Sequence, residues 1–153
     1  MSRVDYFQIE KEIQTVLQAD TDLAGVKVLI EEELTFAESN IVLVELDRRD
    51  APEDMQSISA GQRTRYLLAL SLWCWGFGYE REKAMENRDD LLGKVEVALL
   101  QHRAAAPGNA FGGLVAAFWL QGGDFENRRT TDSDQFLSGA QIEVICDVTA
   151  TSV

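Results

Sequence analysis

Catalytic chemistry has few places to live in this chain. It holds one histidine, His102, and two cysteines, Cys74 and Cys146. No nucleophile turn surrounds Ser57, Ser59, Ser71 or Cys74, so a serine or cysteine triad has no sequence basis. A single His and two separated Cys supply no ligand pairs at zinc spacing. Gly76-Phe-Gly-Tyr and Gly112-Gly113 lack both the Lys-Ser/Thr of a phosphate loop and the six-residue dinucleotide pattern. Acidic groups are more plentiful: Glu31-Glu32-Glu33 is a run, and Asp47, Asp50, Glu53 and Asp54 lie close together. That second cluster lacks the alternating Asp/Asn, the glycine and the distal Glu of a calcium loop, so both read as solvated surface charge. The expectation is a chain without catalytic, cofactor-binding or metal residues: no cofactor, and not an enzyme.

What remains suits contacts between proteins. Arg48-Arg49 and Arg128-Arg129 are basic pairs set in acidic surroundings. Asp50, Glu53 and Asp54 accompany the first pair, and Asp124 and Glu126 the second. Segments carrying both signs fit self-complementary contacts between copies of one chain, which makes these residues the candidate interface. Trp73, Trp75 and Trp119 read as core or interface anchors; a ligand-binding module would instead gather them round an apolar pocket. A small hydrolase would need His102 or a carboxylate pair buried in a cleft.

The elements that must position these groups follow from pattern. At 153 residues and 46% apolar composition, the chain fits one domain able to hide roughly 70% of its unfolded surface. Its 26 acidic against 14 basic residues give a net charge of −12. Such a field repels phosphate backbones and anionic membranes, so no sequence-specific nucleic acid and no membrane partner is expected. No stretch approaches the ~18 apolar residues of a span. Asp5, Glu10, Lys11 and Glu12 stand where a leader's apolar segment would lie, which points to a protein made and kept in a cytoplasm, its two buried thiols reduced.

Tyr6, Ile9, Ile13, Val16 and Leu17 recur at helical spacing, predicting a helix from Asp5 to Gln18 with Asp5 and Gln8 as a capping box. Val26–Ile30 and Ile41–Asp47 read as strands joined by a hairpin or a crossing loop. Arg48–Gly61 reads as a long loop of the kind that carries function. A long central strand, Arg63–Trp75, is stopped by Gly76 and Gly78. A helix from Glu80 to Arg103 carries the stripe Ala84, Leu91, Leu92, Val95, Ala98, Leu99 and His102. His102 in its last turn reads as a partner of the helix-end carbonyls or a residue packed at the core's edge. Strands Leu114–Leu120 and Phe136–Thr149 follow, separated by a second long polar loop, Gly122–Gln135. The fold class is α+β: one domain with a mostly antiparallel or mixed sheet, an N-terminal helix and one long central helix packed on it.

This order of elements resembles the tail terminator proteins of long-tailed bacteriophages, the family of the lambda minor tail protein U and its Mu-type equivalents. The likeness runs from the helix ending near Leu23-Ala24-Gly25-Val26, through Arg63–Trp75 and Ala84–Arg103, to the closing segments Gly112–Gln121 and Phe136–Thr149. It implies a homo-oligomeric ring, a hexamer, at the head-proximal end of a tail tube. Such a ring ends tube polymerisation and presents the head–tail joining surface. Its partners would be copies of itself, the tail tube protein and the head–tail connector protein, with DNA free to pass through. Its location would be the virion tail, after assembly in the host cytoplasm. A connector or neck completion protein is the neighbouring possibility within the same machinery.

Overall fold

The computed structural model describes residues 4–34, 39–50, 63–129 and 134–151. Helix α1 spans Tyr6–Ala19; a 3-10 turn over Thr21–Leu23 leads to strand β1, Lys27–Ile30. Strands β2 (Ile41–Asp50) and β3 (Arg63–Gly78) precede the long helix α2, Arg81–Ala105. A single turn, α3 (Ala110–Gly113), leads to β4 (Ala117–Gln121), β5 (Phe125–Arg129) and β6 (Phe136–Thr151). The six strands form one mixed sheet in the order β1-β2-β3-β6-β4, with β5 also paired to β6. Only β1 and β2 run parallel, which excludes a hairpin between them and leaves the crossing connection. The α+β class with a mixed sheet is what the pattern predicts.

The β3–β6 ladder runs unbroken from Arg63↔Thr151 to Gly78↔Phe136. Because side chains alternate along a strand, the ladder sorts its residues onto two faces. Leu68, Leu70, Leu72 and Cys74 of β3 meet Ile142, Val144, Cys146 and Val148 of β6 in the main core. Ile9, Ile13 and Leu17 of α1, with Leu91, Val95 and Leu99 of α2, close over them. The described helices thus cover one face. Burial pushes the thiols of Cys74 and Cys146 up to about 12, and both are free.

Gly76 does not stop β3, which runs on to end at Gly78; the two glycines let α2 cross it. A Cβ at Gly76 would press into the Arg88 backbone N and lie 2.5 Å from the Ala84 carbonyl. One at Gly78 would lie 2.9 Å from the Ala84 amide. Both glycines face the helices, and their missing side chains let the first turns of α2 lie on the strand. The loop Gly122–Gln135 is likewise corrected: Phe125–Arg129 pairs with β6 as strand β5. The expected loop Arg48–Gly61 loses its start, since β2 continues to Asp50 across a bulge between Leu46 and Arg48. Its remainder lies outside the described residues. The capping box is half formed. Asp5 accepts from the Gln8 amide (3.0 Å), but the Gln8 side chain turns to Glu12 (3.2 Å).

His102 packs at the core's edge. Its Nε2 accepts from the Phe111 amide at 3.0 Å, and its ring stacks on Phe111 with centroids 5.0 Å apart. Burial lowers its pKa, which keeps Nε2 free of a proton and able to accept. This bond secures Phe111 in its left-handed conformation (φ 50°).

The crossing at Gly76 yields a paired expectation. Gly76→Ala should cost about 3 kcal/mol, because the clash is with backbone that has no rotamer to yield. Gly93→Ala, in α2 with nothing within 4 Å of its added Cβ, should stabilise by about 0.5–1 kcal/mol. Urea unfolding of the two variants beside wild type checks both signs. A Gly76→Ala protein as stable as wild type would remove the close crossing as the reason for the glycine.

Candidate interaction surface

Among the described residues, the sheet's other face carries no helix. From β3 it presents Arg65, Leu67, Ala69, Ser71, Trp73 and Trp75, and from β6 Gln141, Glu143, Ile145 and Asp147. Cross-strand polar links tie it together. Arg48 Nη1 donates to Glu143 at 3.0 Å, Arg65 Nε to Asp147 at 2.8 Å, and Gln141 Nε2 to Ser71 at 2.7 Å.

Strand geometry splits each basic pair. Arg48 lies opposite Ala69 on the open face, whereas Arg49, opposite Leu68, turns to the helix side. There Arg49 donates to the Tyr6 hydroxyl at 2.7 Å and lies over the Tyr66 ring at 5.0 Å. Arg48 also donates to Asp50 at 3.2 Å, and that bond leads the rise in its pKa. Arg128 sits on the open face over Trp75 (5.1 Å), paired with Glu126 at 2.8 Å. Arg129 points away, over Phe136 at 5.4 Å, with Asp134 3.7 Å from its guanidinium. Asp124 uses its backbone, exchanging hydrogen bonds with Gln141. Glu53 and Asp54 lie outside the described residues.

Neither pair is a double-charged patch, because neighbours in a strand face opposite ways. The two sets also stand apart: Arg48 is level with Ala69 and Arg128 with Phe77 of β3, roughly 25 Å along the strand. Trp119 is held away from Trp73 as well, pairing through Ile145 to the level of Ala69, so the three tryptophans form no cage.

A groove of about 520 Å³ opens on this face beside Trp73 and Trp75. Leu34 and Leu43 line it, with Glu31, Glu32, Glu33, Glu45 and Glu126 and the single cation Arg128. At the sheet edge next to it lies a group the sequence reading missed. Glu10 on α1 is only 1% exposed. Its carboxyl hydrogen-bonds Glu31, and Glu31 Oε1 accepts from the Leu46 amide at 2.6 Å. Burial first, then Glu31 and the charge of Glu45, push Glu10 up to about 8. Burial, Glu31 and Asp47 likewise raise Glu45. The signal was present: position 10 lies three residues before Ile13 and seven before Leu17, on the buried stripe. Among the described residues, no three His, Cys, Asp or Glu side chains converge to hold a metal ion. No described helix is long and apolar enough to cross a membrane.

No protein-family model matches the chain, and no curated protein does. Solved structures do. A chain of the virion of a native gene transfer agent particle aligns at TM-score 0.39 and 12% identity, over 90% of this chain and 93% of that one. A sheath/tube terminator of an extracellular contractile injection system, in its extended state, aligns at TM-score 0.50 and 9% identity. That alignment takes in 100% of this chain and 61% of the terminator, so the chain spans about three-fifths of its length. What this second likeness carries is the fold.

The Glu10–Glu31 contact gives a pH expectation. The folded chain keeps a proton on Glu10 between its ordinary value of 4.5 and about 8, where the unfolded chain does not. Raising pH through that window therefore favours unfolding, by a few kcal/mol in all, and the loss levels off above it. Glu10→Gln keeps a donor for Glu31 and has nothing to ionise. Its unfolding free energy should rise relative to wild type from pH 4.5 to 8. Parallel pH curves for the two proteins would mean that Glu10 ionises normally.

Proposed function

We propose that this chain is a non-enzymatic, tail-associated structural protein that works as a terminator. In this reading it assembles into a hexameric ring of identical copies at the head-proximal end of a tail tube. There it ends tube polymerisation and offers the head–tail joining surface. One observation carries the reading: the fold of a sheath/tube terminator aligns with this chain from end to end. The order of elements points the same way, and so does a sheet with one face free of helices, a surface on which copies or tube subunits can seat. The net charge of −12 suits a channel through which DNA slides without sticking. The partners would be the tail tube protein and the head–tail connector protein, and the location the virion tail, reached by assembly in the host cytoplasm.

Within this reading the interface draws on the exposed charges of β2 and β5. Arg48 is already engaged by Asp50 and Glu143 of its own chain, whereas Arg129 is held loosely, so Arg129 is the cation best placed to reach a neighbour. Sedimentation velocity and negative-stain images of the purified protein test the ring. A particle near six times 17.1 kDa with a central channel is expected, and a monomer at all concentrations would sink the proposal. Arg129→Glu should weaken assembly at low salt, because a repulsion placed at one interface repeats round a ring, while leaving the subunit's thermal midpoint unchanged. Unaltered sedimentation of that variant would take Arg129 out of the joint.

A further inference from the structure

The acidic groove on the open face holds an unfinished stack. Arg128 lies over Trp75 with its guanidinium carbon 5.1 Å from the ring centre, neutralised by Glu126 at 2.8 Å. Trp75 in turn stacks on Trp73, centroids 5.7 Å apart and planes 20° from parallel. Arg128 is level with Phe77, on the far side of Trp75 from Trp73. The order along the strand is therefore Arg128, Trp75, Trp73, and Trp73 ends the stack with a half-buried ring. Beyond that ring comes Ser71, and Glu45 is its partner on β2. Glu45 and Trp73 both line the groove, so a carboxylate shares it with the half-buried ring that ends the stack.

Two further observations say what is missing. With Arg128 already committed to Glu126, the carboxylates of Glu31, Glu32, Glu33 and Glu45 are left without a cation among the groove's lining residues. The Trp75 indole is 3% exposed, and its N–H has no hydrogen-bond partner among the described residues. The six-membered edge of that indole lies over Gly139, where a Cβ would come within 2.8 Å of it. The N–H edge therefore faces away from β6, toward β2 and the groove. A carbonyl from an inserted chain segment is the acceptor it lacks.

We propose that this groove receives an arginine side chain from a segment of another protein, its guanidinium stacked on the outer face of Trp73 and paired with Glu45. Arginine fits better than lysine because its planar head stacks on an indole while its N–H fork reaches a carboxylate at the ring's edge. Glu32 and Glu33 at the rim draw the charge in, and the segment's backbone caps the Trp75 N–H. The inference goes beyond the terminator reading and does not depend on a ring.

The test uses the whole protein and a blocked Gly-Arg-Gly tripeptide amide, with its citrulline and lysine analogues as controls. Binding is followed by the indole N–H resonances in low salt. The arginine peptide should shift the Trp73 and Trp75 signals saturably, the lysine peptide should bind several-fold more weakly, and the citrulline peptide about tenfold or more weakly. Trp73→Ala should weaken the arginine peptide about tenfold, and Glu45→Gln, which keeps the side chain's size, by roughly fivefold. Raising salt to ~0.5 M should weaken binding further. Equal binding of the arginine and citrulline peptides would overturn the proposal. So would unchanged affinity in Glu45→Gln, or the same spectral shifts produced by sub-millimolar calcium alone.

Discussion

The β3–β6 ladder is the constraint on which the other contacts depend. Two sixteen-residue strands paired without a slip commit every side chain on them to one face or the other. A slip of β6 by one residue against β3 would carry Ile142, Val144 and Val148 to the open side and bring Gln141, Glu143 and Asp147 under the helices. The register is held by the cost of that exchange. Three buried aliphatic side chains would lose roughly 1.5–3 kcal/mol each, and polar groups would enter a core with no partners.

Given that register, α2 has one good seat. Its stripe of Leu91, Val95 and Leu99 lies on the aliphatic rows, and its first turns meet β3 where Gly76 and Gly78 have no side chains. The far end of α2 is secured by His102, which holds the backbone of Phe111 and stacks against its ring. With both helices on one side, the other face is left to Trp73, Trp75, Trp119 and the cross-strand polar links. The same geometry explains why Arg48-Arg49 and Arg128-Arg129 are not basic patches: each pair sits within a strand and is divided between the faces.

At Glu10 local chemistry opposes the packing. A carboxyl on the buried stripe of α1 stays in the core by keeping its proton and donating it to Glu31, which also accepts from the backbone of β2. The contact ties the helix to the edge of the sheet beside the acidic groove. Electrostatics in the groove and docking of α1 are therefore linked through Glu31.

The sequence alone determined what depends on short-range periodicity. Five apolar positions in α1, the stripe of α2 and the alternation over Ala140–Val148 each need only their neighbours to declare a helix or a strand and its buried side. The poverty of nucleophile, metal and phosphate-loop patterns was equally plain. What only the tertiary structure decided were facts of pairing between distant segments. Phe125–Arg129 is polar and looks like loop, yet it is a strand because β6 offers it an edge and its polar residues can face solvent. Gly78 does end β3, but Gly76 lies within it, and both glycines serve a helix that arrives later in the chain. The parallel pairing of β1 with β2 and the meeting of Glu10 with Glu31 and of Glu45 with Ser71 have no local signature. Each depends on where the long ladder puts residues that are far apart in the chain, and periodicity carries no information about that distance.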